Sequence, residues 1–117
     1  MNNSQKLMLF WKITKRINKK FCNNKLKINN IILFRKGDLH KSFPEGKGWY
    51  FSDKKIILIR KDESLVEQIK IICHELAHAY QHQILKNKGR LKHNKKGGKI
   101  CQNFLKETDK ILKIQCI

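Results

Sequence analysis

His74, Glu75 and His78 stand in the stretch Ile72-Cys73-His74-Glu75-Leu76-Ala77-His78-Ala79 and spell H-E-x-x-H inside an apolar-periodic segment. On a helix this spacing sets two imidazoles one turn apart on nearly the same face, where both can address a single ion. Glu75 projects about 60° away from His78, toward a water on that ion rather than toward the ion itself. A zinc ion held this way lowers the pKa of its water toward ~7, and a nearby carboxylate accepts the proton and hands it to a leaving amine. The pattern is that of a hydrolytic zinc site on a helix. Its plain structural alternative is a polar helix face beside water, or a metal site with no catalytic role.

A catalytic zinc takes three protein ligands and keeps one position open. His93 is the candidate for the third: with the helix carried to Asn87, the six residues from Lys88 to His93 span up to ~20 Å, enough to return to the ion. His82 is one turn further along the same face, ~6 Å up the axis, which suits the rim of a site better than a ligand position. His40 reads as loop surface.

Elements that would position these residues can be read from periodicity. Leu7, Phe10, Trp11, Thr14, Ile17 and Phe21 recur every three or four residues and predict an amphipathic helix from about Ser4 to Cys22, ended by Asn23-Asn24. Lys27 to Phe34 has strand composition, and Gly37, Pro44, Gly46 and Gly48 mark a loop after it. Trp49-Tyr50-Phe51 and Ile56 to Ile59, joined by Ser52 to Lys55, predict a hairpin, with at least two of its three aromatics in the sheet core. Ser64 and Glu67 form a capping box for the main helix, whose packing face is Leu65, Ile69, Ile72, Leu76, Ala79 and Ile84, with Gly89 as its stop. A last helix from about Lys99 to Ile114 packs through Ile100, Phe104, Leu105, Ile111, Leu112 and Ile114. The expected class is α+β: N-terminal helix, short sheet of two to three strands, active-site helix and C-terminal helix.

At 117 residues the chain is expected to be one domain, 1–117. Its net charge of +18 suits polyanionic partners, but the excess of Lys over Arg, 23 to 4, is also what an AT-rich genome produces whatever the function. Lys92, Lys95, Lys96 and Lys99 around His93 are by default a solvated face, and clustered there they would also steer an acidic or DNA-bound substrate. Cys22, Cys73, Cys101 and Cys116 form no C-x-x-C pair, which predicts a reduced, intracellular protein. The apolar run Leu7 to Trp11 is too short for a secretory or membrane segment, so a soluble protein with no membrane partner is expected.

With these residues in place, the chain resembles the SprT-like zinc metalloproteases, which include the Spartan-type DNA-protein crosslink proteases. The resemblance covers roughly residues 10–105. It rests on Ile17-Asn18-Lys19-Lys20-Phe21-Cys22-Asn23-Asn24-Lys25-Leu26, on the Gly48-Trp49-Tyr50 hairpin start, on His74-Glu75-Leu76-Ala77-His78-Ala79, and on His93 fifteen residues after His78. Where that family carries an aromatic about four residues after its third histidine, this chain has Gly97. The resemblance implies a small zincin-like α+β domain with zinc on His74, His78 and His93, Glu75 as general base, and proteolysis of protein substrates, including DNA-bound or DNA-crosslinked ones. DNA contact would come from the basic surface.

Two other readings stand beside this one. One is a basic nucleic-acid-binding module with a structural or vestigial zinc site. The other is the peptidase family that cleaves phage repressors, which shares H-E-x-x-H but takes an acidic third ligand, for which Glu107 and Asp109 are the candidates. His93 has the better spacing.

Overall fold

The apolar-periodic segment around Ile69 to Ala79 becomes the helix that two strands and the other two helices cover. The computed structural model describes residues 1–35, 46–86 and 95–115, the side chains of 95–97 and 113–115 excepted. In chain order the elements are α1 (Asn3–Phe21), β1 (Asn30–Phe34), β2 (Gly48–Phe51), β3 (Ile56–Arg60), α2 (Leu65–Gln83) and α3 (Lys95–Gln115). This is the expected α+β arrangement of three helices and a three-stranded sheet.

The sheet order is β1-β3-β2, with β1 parallel and β2 antiparallel to β3. β3 is therefore central, and its run Ile57-Leu58-Ile59 is buried on both faces, as a flanked strand with near-continuous apolar sequence should be. Tyr50 and Ile31 lie across from Ile57 and join the core under the helices. Trp49 lies across from Leu58 on the opposite face, 40% exposed, and packs against Phe51 with the rings tilted and their centroids 6.1 Å apart. Only Tyr50 of the three hairpin aromatics is thus core, fewer than expected, because alternate residues of a strand point to opposite faces.

α1 begins with a capping box that the sequence reading did not pick out: Asn2 Oδ1 accepts from the Gln5 amide and Gln5 Oε1 from the Asn2 amide, both at 2.9 Å. Its buried stripe is Leu9, Phe10, Ile13, Thr14 and Ile17, rotated from the expected one so that Leu7, Trp11 and Phe21 sit at the margins. The helix stops where Asn23 and Asn24 take left-handed φ of 52° and 61°, a region Asn tolerates. Asn18 then fastens the exit, its amide nitrogen donating to Leu26 O and its oxygen accepting from Leu26 N, each at 2.9 Å.

α2 is capped by Ser64, which accepts from the Glu67 amide at 3.2 Å; the Glu67 carboxylate faces Lys70 and Lys47 instead of closing the box. Ile71, Cys73 and Ala77 are buried along with the predicted face, because the sheet covers one side of α2 and α3 another. On the α3 side Cys73 Sγ meets Thr108 Oγ1 at 3.3 Å and Tyr80 packs edge-on against Phe104. α2 ends at Gln83, well before Gly89: the Ile84 and Leu85 amides both turn back to Tyr80 O, and Lys86 is left-handed at φ 58°. Gly89 itself is outside the described residues. α3 starts earlier than predicted, at Lys95, and buries Phe104 and Ile111 together with two polar residues, Glu107 and Thr108. Among the described residues no helix is long and apolar enough to cross a membrane.

Asn18→Ala removes two hydrogen bonds that hold the α1 exit to the approach of β1. The expected loss is about 1–3 kcal/mol, read from the midpoint of chemical denaturation.

Candidate metal centre

The i, i+4 spacing does in the folded chain what it promises on paper. His74 and His78 bring their Nε2 atoms to 3.1 Å of each other, with rings at 89° and centroids 4.6 Å apart. Glu75 lies beside them, and one ligand atom from each of the three falls within 4.8 Å of the others. His78 and Glu75 are buried and His74 is half-buried, so the cluster opens on one side. Two nitrogens bound at 2.0–2.1 Å to one ion at the tetrahedral angle stand about 3.3 Å apart, close to what the imidazoles already show. The donor set therefore fits a metal ion of that size, which His74 and His78 could hold.

Burial raises the Glu75 carboxyl from its ordinary 4.5 to about 7 in the metal-free chain. A carboxyl at that value can both take and give a proton at neutral pH. Its neighbour across the α2–α3 seam is Cys101, whose thiol is raised by burial first and by the Glu75 carboxylate second. Nothing in the spacing of Cys101 marks it as a neighbour of the site.

Gly48 brings the sheet close to this carboxylate. A Cβ at residue 48 would stand 2.3 Å from Ile71 Cγ2, 3.2 Å from Leu58 O and 3.4 Å from Glu75 Cγ. β2 can run over the first half of α2 only because residue 48 has no side chain.

His82, placed at the rim by its spacing, is indeed further along α2 and engages Tyr50 rather than the cluster. Its Nδ1 is 3.3 Å from the Tyr50 hydroxyl, which also accepts from Gln83 Nε2 at 2.9 Å. Gln83 in turn holds the backbone of Lys27 at both ends, 2.7 Å each way, so α2, β2 and the approach to β1 share one polar knot. Burial raises the Tyr50 phenol, against the lowering effect of Gln83. His93, His40, Lys92 and Cys116 lie outside the described residues, as do the side chains of Lys95 and Lys96, and Lys99 is exposed. Of the acidic alternatives, Asp109 is exposed and Glu107 faces α1. There it meets Arg16 Nε at 2.8 Å, Lys20 Nζ at 3.0 Å and Lys110 Nζ at 3.4 Å.

A family model described as Peptidase_M78, the IrrE N-terminal-like domain, matches residues 38–102, more than half of the chain. The chain belongs to this family of zinc metallopeptidase-like domains. The matched residues contain His74, Glu75, His78 and His93 and end before Glu107 and Asp109. No curated protein and no solved structure matches the chain.

Two measurements check this geometry. A folded-state pKa above the unfolded one means that Glu75 favours folding below about 4.5 and loses that contribution as pH rises through about 7. The metal-free chain should therefore lose stability relative to Glu75→Gln between those two pH values and run parallel to it outside them, by denaturation at a series of pH values. Gly48→Ala should cost about 1–3 kcal/mol and weaken metal retention, since either Ile71 and Glu75 shift or β2 lifts from α2.

Proposed function

We propose that the chain is a zinc-dependent endopeptidase that hydrolyses peptide bonds with His74, His78 and His93 as ligands and Glu75 as general base. The observation that carries this reading is the pair of Nε2 atoms at 3.1 Å beside the buried Glu75 carboxyl, in a chain of a metallopeptidase-like family. His93 is supported by its place inside the matched residues and two positions before α3, the helix that runs beside Glu75 through Cys101.

When bound, a zinc ion supplies Lewis acidity, which makes a water nucleophilic near neutral pH and polarises the peptide carbonyl. His74 and His78 hold their Nε2 atoms convergent on one side of α2. Glu75 takes the proton that the attacking water sheds as the new C–O bond forms, and returns it to the nitrogen as the C–N bond breaks. Core packing of α2 keeps the three groups from reorganising between the steps.

The finer assignment is to SprT-like proteases acting on DNA-bound or DNA-crosslinked proteins inside the cell. Its support is the order of the quoted residues, the Asn18 clamp on Leu26 within them, the charge of +18, and the free state of Cys22, Cys73 and Cys101. The charge also favours a second reading, a nucleic-acid-binding module whose metal is structural or vestigial.

Metal content by mass spectrometry, on protein purified without added metal, separates these readings when paired with a cleavage assay. One zinc per chain is expected in wild type, in His82→Ala and in Glu75→Gln, and its loss is expected in His93→Ala. Glu75→Gln should lower cleavage by at least ~10²-fold while retaining the metal. Retained cleavage in that variant would remove the mechanism, and no cleavage by wild type would leave the binding-module reading.

A further inference from the structure

We propose that the outer face of α1, joined to α3 at a pinned cluster of cations, is a docking surface for the phosphodiester backbone of duplex DNA, separate from the His74-Glu75-His78 centre. The first 37 residues contain ten Lys or Arg and no Asp or Glu, so the charge is polarised along the chain and not merely high. On α1 the polarisation becomes a surface. From Lys12 onward its exposed positions are Lys12, Lys15, Arg16, Lys19 and Lys20, every one a cation. At 100° per residue they cover an arc of about 140°. Codon bias alone enriches lysine everywhere; it does not clear acids from one helix.

Glu107 turns part of this face into an ordered site. Its carboxylate is 2% exposed and holds Arg16, Lys20 and Lys110, whose side chains remain 51%, 45% and 61% exposed. Three cations around one anion leave a net positive seam between α1 and α3 with its heads already fixed, which lowers the ordering cost of binding an anion. Arg16 engages Glu107 through Nε, and its terminal amino groups remain for the forked contact that guanidinium makes with phosphate.

Other polyanions fit less well. From Lys12 to Lys20 no apolar residue of α1 is exposed, so this stretch offers nothing to insert between lipid chains. Single strands are held by stacking on aromatic side chains, and the exposed aromatic of the described residues, Trp49, is on β2 and not on α1. A broad cationic face with Arg16, Lys20 and Lys110 held at Glu107 suits the closely spaced phosphates of a duplex. The metal centre faces α3 through Cys101, whereas this surface meets α3 through Glu107, so bound DNA would tether the protein without filling the centre.

The test measures binding of the full chain to a short mixed-sequence DNA duplex by fluorescence anisotropy across a salt series. The variants are Lys12→Gln/Lys15→Gln/Lys19→Gln and a control with equal charge loss, Lys25→Gln/Lys54→Gln/Lys70→Gln. The α1 variant should bind at least ~10-fold more weakly at about 0.1 M salt and flatten the log–log salt slope by about 2–3, with the control much less affected. Lys12→Arg/Lys15→Arg/Lys19→Arg should bind like wild type, which separates charge from folding. A single strand of the same length and phosphatidylserine vesicles should both bind more weakly than the duplex. Equal losses in the α1 and control variants, or preferential capture of vesicles or single strand, would overturn the proposal. Binding needs neither metal nor the general base, so Glu75→Gln should bind like wild type whether or not the peptidase reading survives.

Discussion

A helix that must be apolar on nearly all sides has to carry three polar side chains at one spot. α2 is covered by the sheet, by α3 and by α1, and Ile69, Ile72, Cys73, Leu76, Ala77 and Ala79 are its contribution to that packing. The imidazoles of His74 and His78 and the carboxyl of Glu75 interrupt this surface at the cost of desolvation. The same burial makes Glu75 a neutral-pH acid and base and holds the imidazoles 3.1 Å apart. Packing is thus the source of the chemistry as well as of the fold, and the features around the site serve to preserve it. Gly48 lets the sheet approach, Gln68 ties the β3–α2 turn through Arg60 O and Lys61 O, and the Tyr50–Gln83–Lys27 knot fixes the other end of the helix.

How much of this the sequence disclosed depends on the range of the interaction. H-E-x-x-H is local, so the helix, the shared face and the roles it suggests could be read directly from residues four apart. Ser64, Asn23-Asn24 and the Ser52 to Lys55 turn are equally local and ended their elements as expected. The misplaced features are set by distant partners. Gln83 binds Lys27, 56 residues away, and α2 ends there despite a plausible stop at Gly89. Trp49 has the composition of core, yet sheet register turns it outward. Cys101 comes beside Glu75 only because Phe104 and Thr108 seat α3 against α2.

Glu107 illustrates how charge partners decide what a carboxylate can do. With Asp109 it was an acidic candidate for a third ligand, on a helix that otherwise reads as packing, and His93 had the better spacing. A carboxylate with three cations at 3.4 Å or less is already committed, and moving it to a metal would strand Arg16, Lys20 and Lys110 against one another. The α1 sequence, with six cations and no acid, held the information, but only the α1–α3 contact shows where those cations point.

The two buried glutamates make the general case. Glu75 and Glu107 are the same residue type, 5% and 2% exposed, and their carboxyl groups move in opposite directions. Burial without a cation raises Glu75 to about 7, whereas the Arg16 guanidinium, helped by Lys20 and Lys110, holds Glu107 down at about 2. Folded-state pKa depression means that Glu107 stabilises the fold above about 4.5 and loses that contribution as pH falls toward 2. Glu75 works in the opposite sense and at higher pH. A permanently charged carboxylate organises cations and cannot exchange protons near neutrality; a carboxyl near 7 exchanges protons and is a poor anchor. The chain therefore separates its two buried acids by giving the cations to Glu107 and leaving Glu75 among apolar neighbours. A lysine brought next to Glu75 would abolish the distinction by turning a proton carrier into another ion pair.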